Sequence, residues 1–275
     1  MANDSGCRTL LERHGVYDRR VEFLGVPMDP LDMDETVRII DAAIAEGVCL
    51  KHVVVNVSKL VQMRSDAGLH ADVVDSDLIN IDGMGVVWGA RLAGRTVPAR
   101  VAGIDLMDRV LALCAKRGYR PYILGAKQEV LERAVANIRA RYPDLTFAGF
   151  RNGYFKREDE PAIVEEIRAS GADCLFVAIS SPTKERFTQQ YRDRLGVKFL
   201  MGVGGSVDVM AGITRRAPDW MQRAGLEWLY RVLQEPRRMW KRYLITNCLY
   251  AGLLARELAR PRRPAARPGV DAGRA

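Results

Sequence analysis

The sequence is poor in the residues from which metal centres and nucleophilic active sites are usually built. It has 275 residues but only three histidines and five cysteines. The cysteines are scattered, their number is odd and no two form a CxxC pair, which argues against a zinc site and fits a reducing compartment. A GxSxG motif, a Ser-His-Asp or Cys-His arrangement and a Walker-type GKS or GKT loop are also missing.

Long hydrophobic runs are absent as well. The first twenty residues carry seven charged side chains, so we expect no secretory signal and predict that residues 1–20 are disordered. The apolar stretch over residues 243–255 has 13 residues, whereas a helix that spans a membrane needs about 20. Residues 260–275 are rich in Arg, Pro and Ala and are predicted to form a disordered tail.

The charge of the chain is unevenly distributed. Residues 215–275 contain 14 Lys and Arg against 5 Asp and Glu, a net charge of +9. The other 214 residues contain 28 basic and 29 acidic residues, a net charge of −1. All the excess positive charge therefore lies at the C-terminal end. This asymmetry indicates a polyanionic partner, which could be nucleic acid, an anionic membrane surface or a phosphorylated substrate.

Strand and helix patterns alternate from about residue 21 to residue 205. The clearest strand is CLFVAI, residues 174–179, which is apolar throughout, as expected for a strand covered on both faces. A hydrophobic content of 48% is enough for one large core domain with an appendage. We predict an α/β catalytic domain over residues 21–214, with a Rossmann-like parallel sheet and helices on both faces.

The pattern changes after this domain, and no strand is predicted from Ala217 onward. Aromatic and aliphatic residues fall at helical spacing, and their apolar face is flanked by arginines. Such a face resembles a helix that lies in the membrane interface. We therefore predict that residues 215–259 form a basic, α-helical, membrane-associating appendage. The alternative is that its aromatic residues pack onto the α/β core and its arginines are solvated.

The most informative segment runs from Asp77 to Asp105, and its first part is the apolar run Leu78-Ile79-Asn80-Ile81. The run predicts a buried strand that ends at Asp82, and Gly83 follows at once. A carboxylate at a strand end, next to glycine, lies where open α/β sheets bind ligands. A base, a glycine and an acid come next: Arg100, Gly103 and Asp105. Together they indicate a site for a polar, phosphorylated substrate. The alternative is that Asp82 only caps the helix after it.

Three turns at predicted strand ends have features of anion sites. They are Gly202-Val203-Gly204-Gly205-Ser206, Leu124-Gly125-Ala126-Lys127 and Ser180-Ser181-Pro182-Thr183-Lys184. Each turn leads into a predicted helix, whose first amides and positive dipole end attract anions. For the glycine-rich turn alone, a plain turn is an equal alternative. Three such turns on one sheet edge favour a nucleotide-like ligand over an isolated phosphate.

Two acid pairs of the DxD form could bridge a divalent ion to a diphosphate. They are Asp32-Met33-Asp34 and Asp75-Ser76-Asp77. Neither follows a convincing strand and both suit helix caps or turns, so we expect neither a metal nor another cofactor. Arginine can bind phosphate without a metal. The arginines available for this are Arg100, Arg215, Arg216, Arg231, Arg237 and Arg238.

A set of motifs, in this order along the chain, resembles the WecG/TagA/CpsF glycosyltransferases, family 26. The motifs are Asn56, IDGMGVVW, VPARVAGIDL, ILGAKQEV, SSPTKERF, GVGGSVDVMAG and RRAPDWMQRAGLEWLYRVLQEPRRMWKRYL, within roughly residues 22–246. The resemblance implies inverting, metal-independent transfer from a UDP-sugar to a saccharide carried on polyprenyl diphosphate. The donors of this family include UDP-N-acetylmannosamine, its uronic acid and UDP-glucose. It also implies peripheral attachment at the cytoplasmic face of the bacterial inner membrane, in surface or exopolysaccharide synthesis.

Residue by residue, the resemblance implies that Asp82 is the general base, with Asn56 beside it and Arg100 near the sugar diphosphate. It also implies that arginines of the appendage close over the diphosphate: Arg231, Arg237 and Arg238. Two positions depart from the family pattern, since Val54 stands where some members have Thr and Lys184 where many have Gln. Both lie near the expected sugar pocket, so the donor sugar, the acceptor sugar, the linkage and the polymer stay open.

One alternative function belongs to another class, a non-catalytic scaffold that binds a nucleotide sugar at the membrane. A single-turnover assay with a labelled donor and a lipid acceptor separates the two. We expect no nucleic-acid partner, because the chain has no recognised motif and no basic strand with interleaved aromatic residues. An apolar appendage often seeks a partner, so a homo-oligomer is an open alternative.

Overall fold

The computed structural model describes residues 2–259, and it describes the side chains from residue 5 onward except that of Arg238. The strands are β1 (Val21–Phe23), β2 (Val26–Met28), β3 (Leu50–Val55), β4 (Leu78–Ile81), β5 (Pro121–Gly125), β6 (Gly149–Arg151), β7 (Cys174–Ala178) and β8 (Phe199–Gly202). The helices are α1 (Ala2–Arg13), α2 (Val16–Arg19), α3 (Met33–Ala45), α4 (Val57–Gln62), α5 (Ala67–Val74), α6 (Met84–Leu92), α7 (Gly103–Arg117), α8 (Gln128–Arg141), α9 (Glu160–Ala169), α10 (Thr183–Tyr191), α11 (Ser206–Met210), α12 (Asp219–Arg223), α13 (Glu227–Gln234) and α14 (Pro236–Ala259).

Six of the strands form one sheet in the order β4-β3-β8-β7-β5-β6, and β1 and β2 form a separate antiparallel pair. All neighbours in the large sheet run parallel. Parallel neighbours need a crossover connection, and helices supply it here. All six carboxyl ends therefore meet at one edge, with the end of β4 beside the end of β3.

Helices cover both faces of this sheet, as the sequence predicts. On β7, Cys174 and Phe176 point into a core with α1, α3, α7, α8 and α11. Leu175 and Val177 point to the opposite face, where they pack with α9 and α10. Strands β3 and β4 place their residues on that second face against α4, α5 and α6. The alternation explains why CLFVAI is apolar throughout, since successive side chains enter different cores.

The prediction of a disordered N-terminal segment is wrong for the described part of residues 1–20. Helix α1 buries Leu10 and Leu11 fully, and Val16 of α2 is also buried. Three of the charged residues of α1 are exposed, namely Arg8, Glu12 and Arg13, and Arg13 pairs with Glu46. The apolar face of α1 is short, and charged residues lie between its apolar residues. The helical pattern is therefore hard to recognise in the sequence. Met1 and the predicted disordered tail, residues 260–275, lie outside the described residues.

Three helices, α12, α13 and α14, make up the C-terminal appendage that the sequence predicts as helical. The long helix α14 packs on the α/β domain through Tyr250, which is buried in the core with α6. Its hydroxyl donates to the Gly85 carbonyl oxygen at 2.9 Å. Within residues 2–259, no helix is both long enough and apolar enough to cross a membrane.

The contact between α6 and α14 depends on Gly89. A Cβ atom at this position would overlap the Tyr250 hydroxyl oxygen and lie 3.1 Å from the Phe23 ring. We predict that Gly89→Ala destabilises the protein by about 1–3 kcal/mol, the usual cost of an overpacked site. The free energy of unfolding and the protease resistance of α14 measure this.

Two further variants test the cause of that loss. Gly252→Ala lies in α14, where an added Cβ meets nothing within 4 Å among the described residues, so it is expected to be neutral or stabilising. Adding Tyr250→Phe to Gly89→Ala removes the overlapping oxygen and is expected to restore part of the stability. A Gly89→Ala protein as stable as the parent would contradict this packing.

Candidate active site

Asp82 lies directly after β4, at the carboxyl edge of the sheet. Its amide donates to the Val55 carbonyl oxygen at 2.9 Å, and the pairing of Val55 with Ile81 places Asn56 across from it. Gly83 follows with φ of 92°, a conformation that suits glycine. The chain turns there into α6, which leaves the Asp82 carboxyl group at the sheet edge.

The N-terminus of α7 covers this edge. The Val101 amide donates to the Ile81 carbonyl oxygen at 2.8 Å, so the loop after α6 returns to the end of β4. A Cβ on Gly103 would lie 3.4 Å from Val54 Cγ2, so α7 begins in close contact with β3. The Gly103 amide donates to the Asp82 carboxylate. The N-cap of α6 is Gly83, which has no side chain. The Asp82 carboxylate binds the start of α7 instead, so Asp82 does more than cap α6.

The pKa of Asp82 is raised from 3.8 to about 6. Burial is the main cause, because it penalises the charged carboxylate. The nearby carboxylate of Glu227 raises the pKa further, while Arg100, the Gly103 amide and Arg231 lower it. Asp82 is therefore ionised above about pH 6 and is a stronger base than an ordinary aspartate. Such a carboxylate at a ligand-binding edge can accept a proton.

Asn56 is held beside Asp82 by its own role as a helix cap. It is the N-cap of α4, and its side-chain oxygen accepts from the Lys59 amide at 3.0 Å. The cap orients the side-chain amide group at the end of β3. The structure thus brings together two of the predicted catalytic residues by the pairing of β3 with β4.

The third predicted catalytic residue, Arg100, joins this edge to the appendage. Its guanidinium forms an ion pair with Glu227 at the start of α13 and donates to the Gln222 side-chain oxygen of α12 at 3.1 Å. Arg216 lies next to this pair, and its Nη2 is 3.8 Å from Glu227 Oε1. Arg216 also binds both carboxylate oxygens of Asp105, a predicted substrate-binding residue in the first turn of α7.

We call Arg100, Asp105, Arg216 and Glu227 the bridging charge cluster. Its side chains are 15–38% exposed, so solvent screens them only in part. A cavity of about 340 Å³ adjoins the cluster between α7, α8 and α11. Asp105 and Arg216 belong to its lining, and its volume is within the range of small-molecule sites.

The predicted appendage arginines lie on α13 and α14. Arg231 is exposed and close enough to Asp82 to lower its pKa. Arg237 is exposed in the first turn of α14. Arg238 follows on the same helix, but its side chain lies outside the described residues. The structure therefore brings Arg231 to the edge that holds Asp82.

The glycine turn after β8 lies next to the end of β3. Gly204 has φ of 51°, and an added Cβ would meet nothing within 4 Å among the described residues. Gly205 is the N-cap of the short helix α11. Because β8 is the neighbour of β3, this open turn lies on the same edge as Asn56.

Two other predicted binding residues lie farther along the sheet. β5 is four strands from β4, about 19 Å at the usual spacing of parallel strands. Gly125 at its end has φ of 137°, and a Cβ there would overlap the Ala178 backbone. Close packing of the two strands thus accounts for this glycine. Lys127 is the exposed N-cap of α8. Ligand contact by these two residues stays a prediction.

Ser181 and Lys184 belong to a buried ion cluster with Glu185. The Glu185 carboxylate accepts from the Ser181 hydroxyl at 2.8 Å and lies 2.9–3.0 Å from the Lys59 and Lys184 ammonium groups. Burial alone would raise the pKa of Glu185, but the two lysines outweigh it and lower the pKa to about 2. Lys184 also fills the space above Gly202, where a Cβ would lie 2.9 Å from its Cδ. These contacts are structural, and a role in substrate binding stays a prediction.

The two DxD pairs serve as caps and ion-pair partners. Asp32 caps α3 in a capping box with Glu35. Asp77 accepts from the Lys51 amide and pairs with Arg192 at 2.8 Å. Within residues 2–259, no three His, Cys, Asp or Glu side chains form a group that could hold a metal ion.

Glu227 and Gln222 were not predicted from the sequence, although both bind Arg100 across more than 120 residues of chain. Glu227 lies in the GLEWLYR motif, and an acid inside a basic, aromatic segment was a usable signal. The residue that pairs with Glu227 depends on how α13 packs on the α/β domain, and no local sequence pattern specifies this packing. Lys59 and Glu185 were also missed, because their ion pair joins residues that are far apart in the sequence.

The chain is similar to two enzymes from Bacillus species. The Bacillus subtilis protein named N-acetylglucosaminyldiphosphoundecaprenol N-acetyl-beta-D-mannosaminyltransferase is 37% identical over 169 residues, which are 62% of this chain and 65% of that relative. A protein of the same name from Bacillus spizizenii is 34% identical over 184 residues, 67% of this chain and 70% of the relative. The chain thus spans just under two thirds of the B. subtilis protein.

The sequence model of the glycosyl transferase WecG/TagA/CpsF family matches residues 21–264. The match includes both the parallel sheet that carries Asp82 and the helices that carry Glu227 and Arg231. Because it extends over most of the sequence, the chain belongs to the WecG/TagA/CpsF family of glycosyl transferases.

Proposed function

We propose that this protein is an inverting glycosyltransferase that transfers a sugar from a UDP-sugar to a saccharide linked to polyprenyl diphosphate. The product serves bacterial surface or exopolysaccharide synthesis. The observation that carries the proposal is the Asp82 carboxyl group, whose pKa is raised to about 6 at the carboxyl edge of the sheet. Cationic side chains of the appendage lie over the same edge.

Asp82 is the general base of the proposed reaction. A sugar hydroxyl loses its proton only at very high pH, so a carboxylate must accept the proton as the glycosidic bond forms. The Gly103 amide holds the Asp82 carboxylate in place. The capped Asn56 side chain lies beside it and would orient one of the sugars.

Arginines and backbone amides stabilise the departing nucleotide in this proposal. Negative charge grows on the diphosphate as the donor bond breaks, and preorganised cations lower the energy of that state. Arg100, Arg216 and Arg231 are the nearest candidates, and the open Gly204-Gly205 turn adds amides. We propose that they act without a metal ion. Direct displacement by the acceptor hydroxyl inverts the anomeric centre.

The names of the relatives suggest which sugars take part. Both act, by name, on N-acetylglucosaminyldiphosphoundecaprenol and transfer an N-acetylmannosaminyl group. We propose a UDP-N-acetylmannosamine donor first, with its uronic acid and UDP-glucose as alternatives. Val54 lies beneath Gly103, close to Asp82, so its difference from Thr could alter the choice of sugar. The cavity beside Asp105 and Arg216 offers room for part of the donor.

Replacing Asp82 tests the assignment of the base. We expect Asp82→Asn to lower the single-turnover transfer rate by roughly 10²–10⁴-fold, the usual contribution of a general base. UDP binding is expected to persist, because the arginines are unchanged. The assay uses a radiolabelled UDP-sugar panel and a short polyprenyl-diphosphate acceptor.

Asp34→Asn is the matched control. Asp34 pairs with Arg109 on the surface and is 65% exposed, and we expect full activity from this variant. Transfer by the Asp82→Asn protein at the parental rate would refute the base assignment. Donor binding without transfer by the unchanged protein, for every sugar tested, would favour the scaffold alternative.

We further propose that the appendage attaches the protein to the anionic cytoplasmic face of the inner membrane. Seven large apolar side chains of α12–α14 are 47–68% exposed: Trp220, Leu233, Trp240, Leu244, Ile245, Leu249 and Leu258. Basic residues Lys241 and Arg242 lie among them on α14. Buried apolar area and attraction to anionic lipid both strengthen such binding.

Charge placed on this face should release the protein from vesicles. The double variant Trp240→Glu and Leu244→Glu alters two exposed residues on one face of α14. We expect its partitioning onto anionic vesicles to fall at least about tenfold, since both apolar burial and charge attraction are lost. Cosedimentation with vesicles measures it, and Tyr154→Glu, at a site 72% exposed on the α/β domain, is the control. Unaltered binding of the double variant would count against this attachment.

A further inference from the structure

Glu227 is the one acidic side chain that the appendage contributes to the bridging charge cluster. It lies in the first turn of α13, and its two carboxylate oxygens face different arginines. Oε2 forms an ion pair with Arg100, and Oε1 lies 3.8 Å from Arg216 Nη2. A single anionic group therefore lies between two guanidinium groups that come from distant parts of the chain.

Arg216 retains hydrogen-bonding capacity that the protein does not use. Its two terminal nitrogens bind the Asp105 carboxylate. Its Nε is buried and has no acceptor among the described residues. A buried donor without an acceptor is unfavourable. Another anion entering the cluster would supply the missing acceptor.

The position of Glu227 is also unfavourable for the base. Its carboxylate lies close enough to Asp82 to disfavour ionisation of that group. Two carboxylates at one edge repel each other, and a diphosphate brought to Arg100 and Arg216 would be repelled as well. Glu227 and a bound diphosphate would compete for the same two cations.

We propose that Glu227 is an internal stand-in for the diphosphate of the donor. Its carboxylate holds Arg100 and Arg216 in place until the nucleotide displaces it. Carboxylate and phosphate both accept paired hydrogen bonds from arginine, so one can replace the other. Glu227 is thus a positioning residue that acts through the two arginines. After transfer, it competes with UDP for them and favours release of the product. This inference rests on the proposed function, because it requires a nucleoside diphosphate in the site.

Nucleotide binding by the full-length protein tests the idea directly. The probes are UDP and uridine, measured by isothermal titration calorimetry at one salt concentration. We expect Glu227→Gln, which keeps the shape of the side chain, to bind UDP roughly 5- to 30-fold more tightly, because the diphosphate no longer competes with a carboxylate for Arg100 and Arg216. A change of this size corresponds to about 1–2 kcal/mol. Uridine lacks the diphosphate, so its affinity is expected to stay unchanged.

Two further variants test the cause of the expected change in UDP affinity. Glu227→Asp keeps the charge at the start of α13 but shortens its reach, and it is expected to give an intermediate gain in UDP affinity even if Glu227→Gln does not fold. Glu165→Gln removes a surface partner of Arg194 and is expected to bind UDP like the parent. Thermal melts of each variant report folding. A residue with only a structural role would not raise UDP affinity when altered.

The outcomes separate this inference from the proposed function. Tighter UDP binding by the Glu227 variants, with unchanged uridine binding, supports the stand-in role. Equal or weaker UDP binding by folded variants, while the parent binds UDP, overturns the inference alone. A folded parent that binds no UDP overturns the proposed function and this inference with it.

Discussion

The contact between the Asp82 carboxylate and the first amide of α7 is the interaction on which the rest of the site depends. It fixes a charged group at the end of a buried strand, where burial disfavours the charge and a helix N-terminus partly restores it. Pairing of β3 with β4 then sets Asn56 alongside. The parallel sheet thus places a carboxyl group of raised pKa at this edge, and in the proposed function the groups that bind the nucleotide are arranged around it.

The second half of the site comes from the appendage. Arg100 belongs to the α/β domain, yet its partners Gln222 and Glu227 lie on α12 and α13. Tyr250 fixes α14 on α6 in the same region. The helices that expose apolar side chains therefore also place charges over the sheet edge that holds Asp82. In this account, attachment to a membrane and completion of the nucleotide site are tasks of one structural unit, which suits an acceptor that is itself bound to lipid.

The fold and the position of Asp82 at the sheet edge could be predicted because their signals are local. CLFVAI alternates between two cores, and Asp82 follows a short apolar run at a strand end. The bridging charge cluster could not be predicted, since the partner of Arg100 depends on how α13 docks more than 120 residues later. Helix α1 was missed because Leu10 and Leu11 are too few for a clear pattern. Gly125 and Lys184 looked like ligand contacts from their turns, but strand packing and Glu185 account for much of their environment.

The most direct test of the central claim is the pH dependence of single-turnover transfer. The pKa of Asp82 is raised to about 6, and only the ionised form can accept a proton. The rate should therefore be constant at high pH and fall about tenfold per pH unit below about 6. Circular dichroism at each pH establishes that the protein stays folded. A rate that stays constant down to about pH 4.5, well below this pKa, would contradict Asp82 as the base.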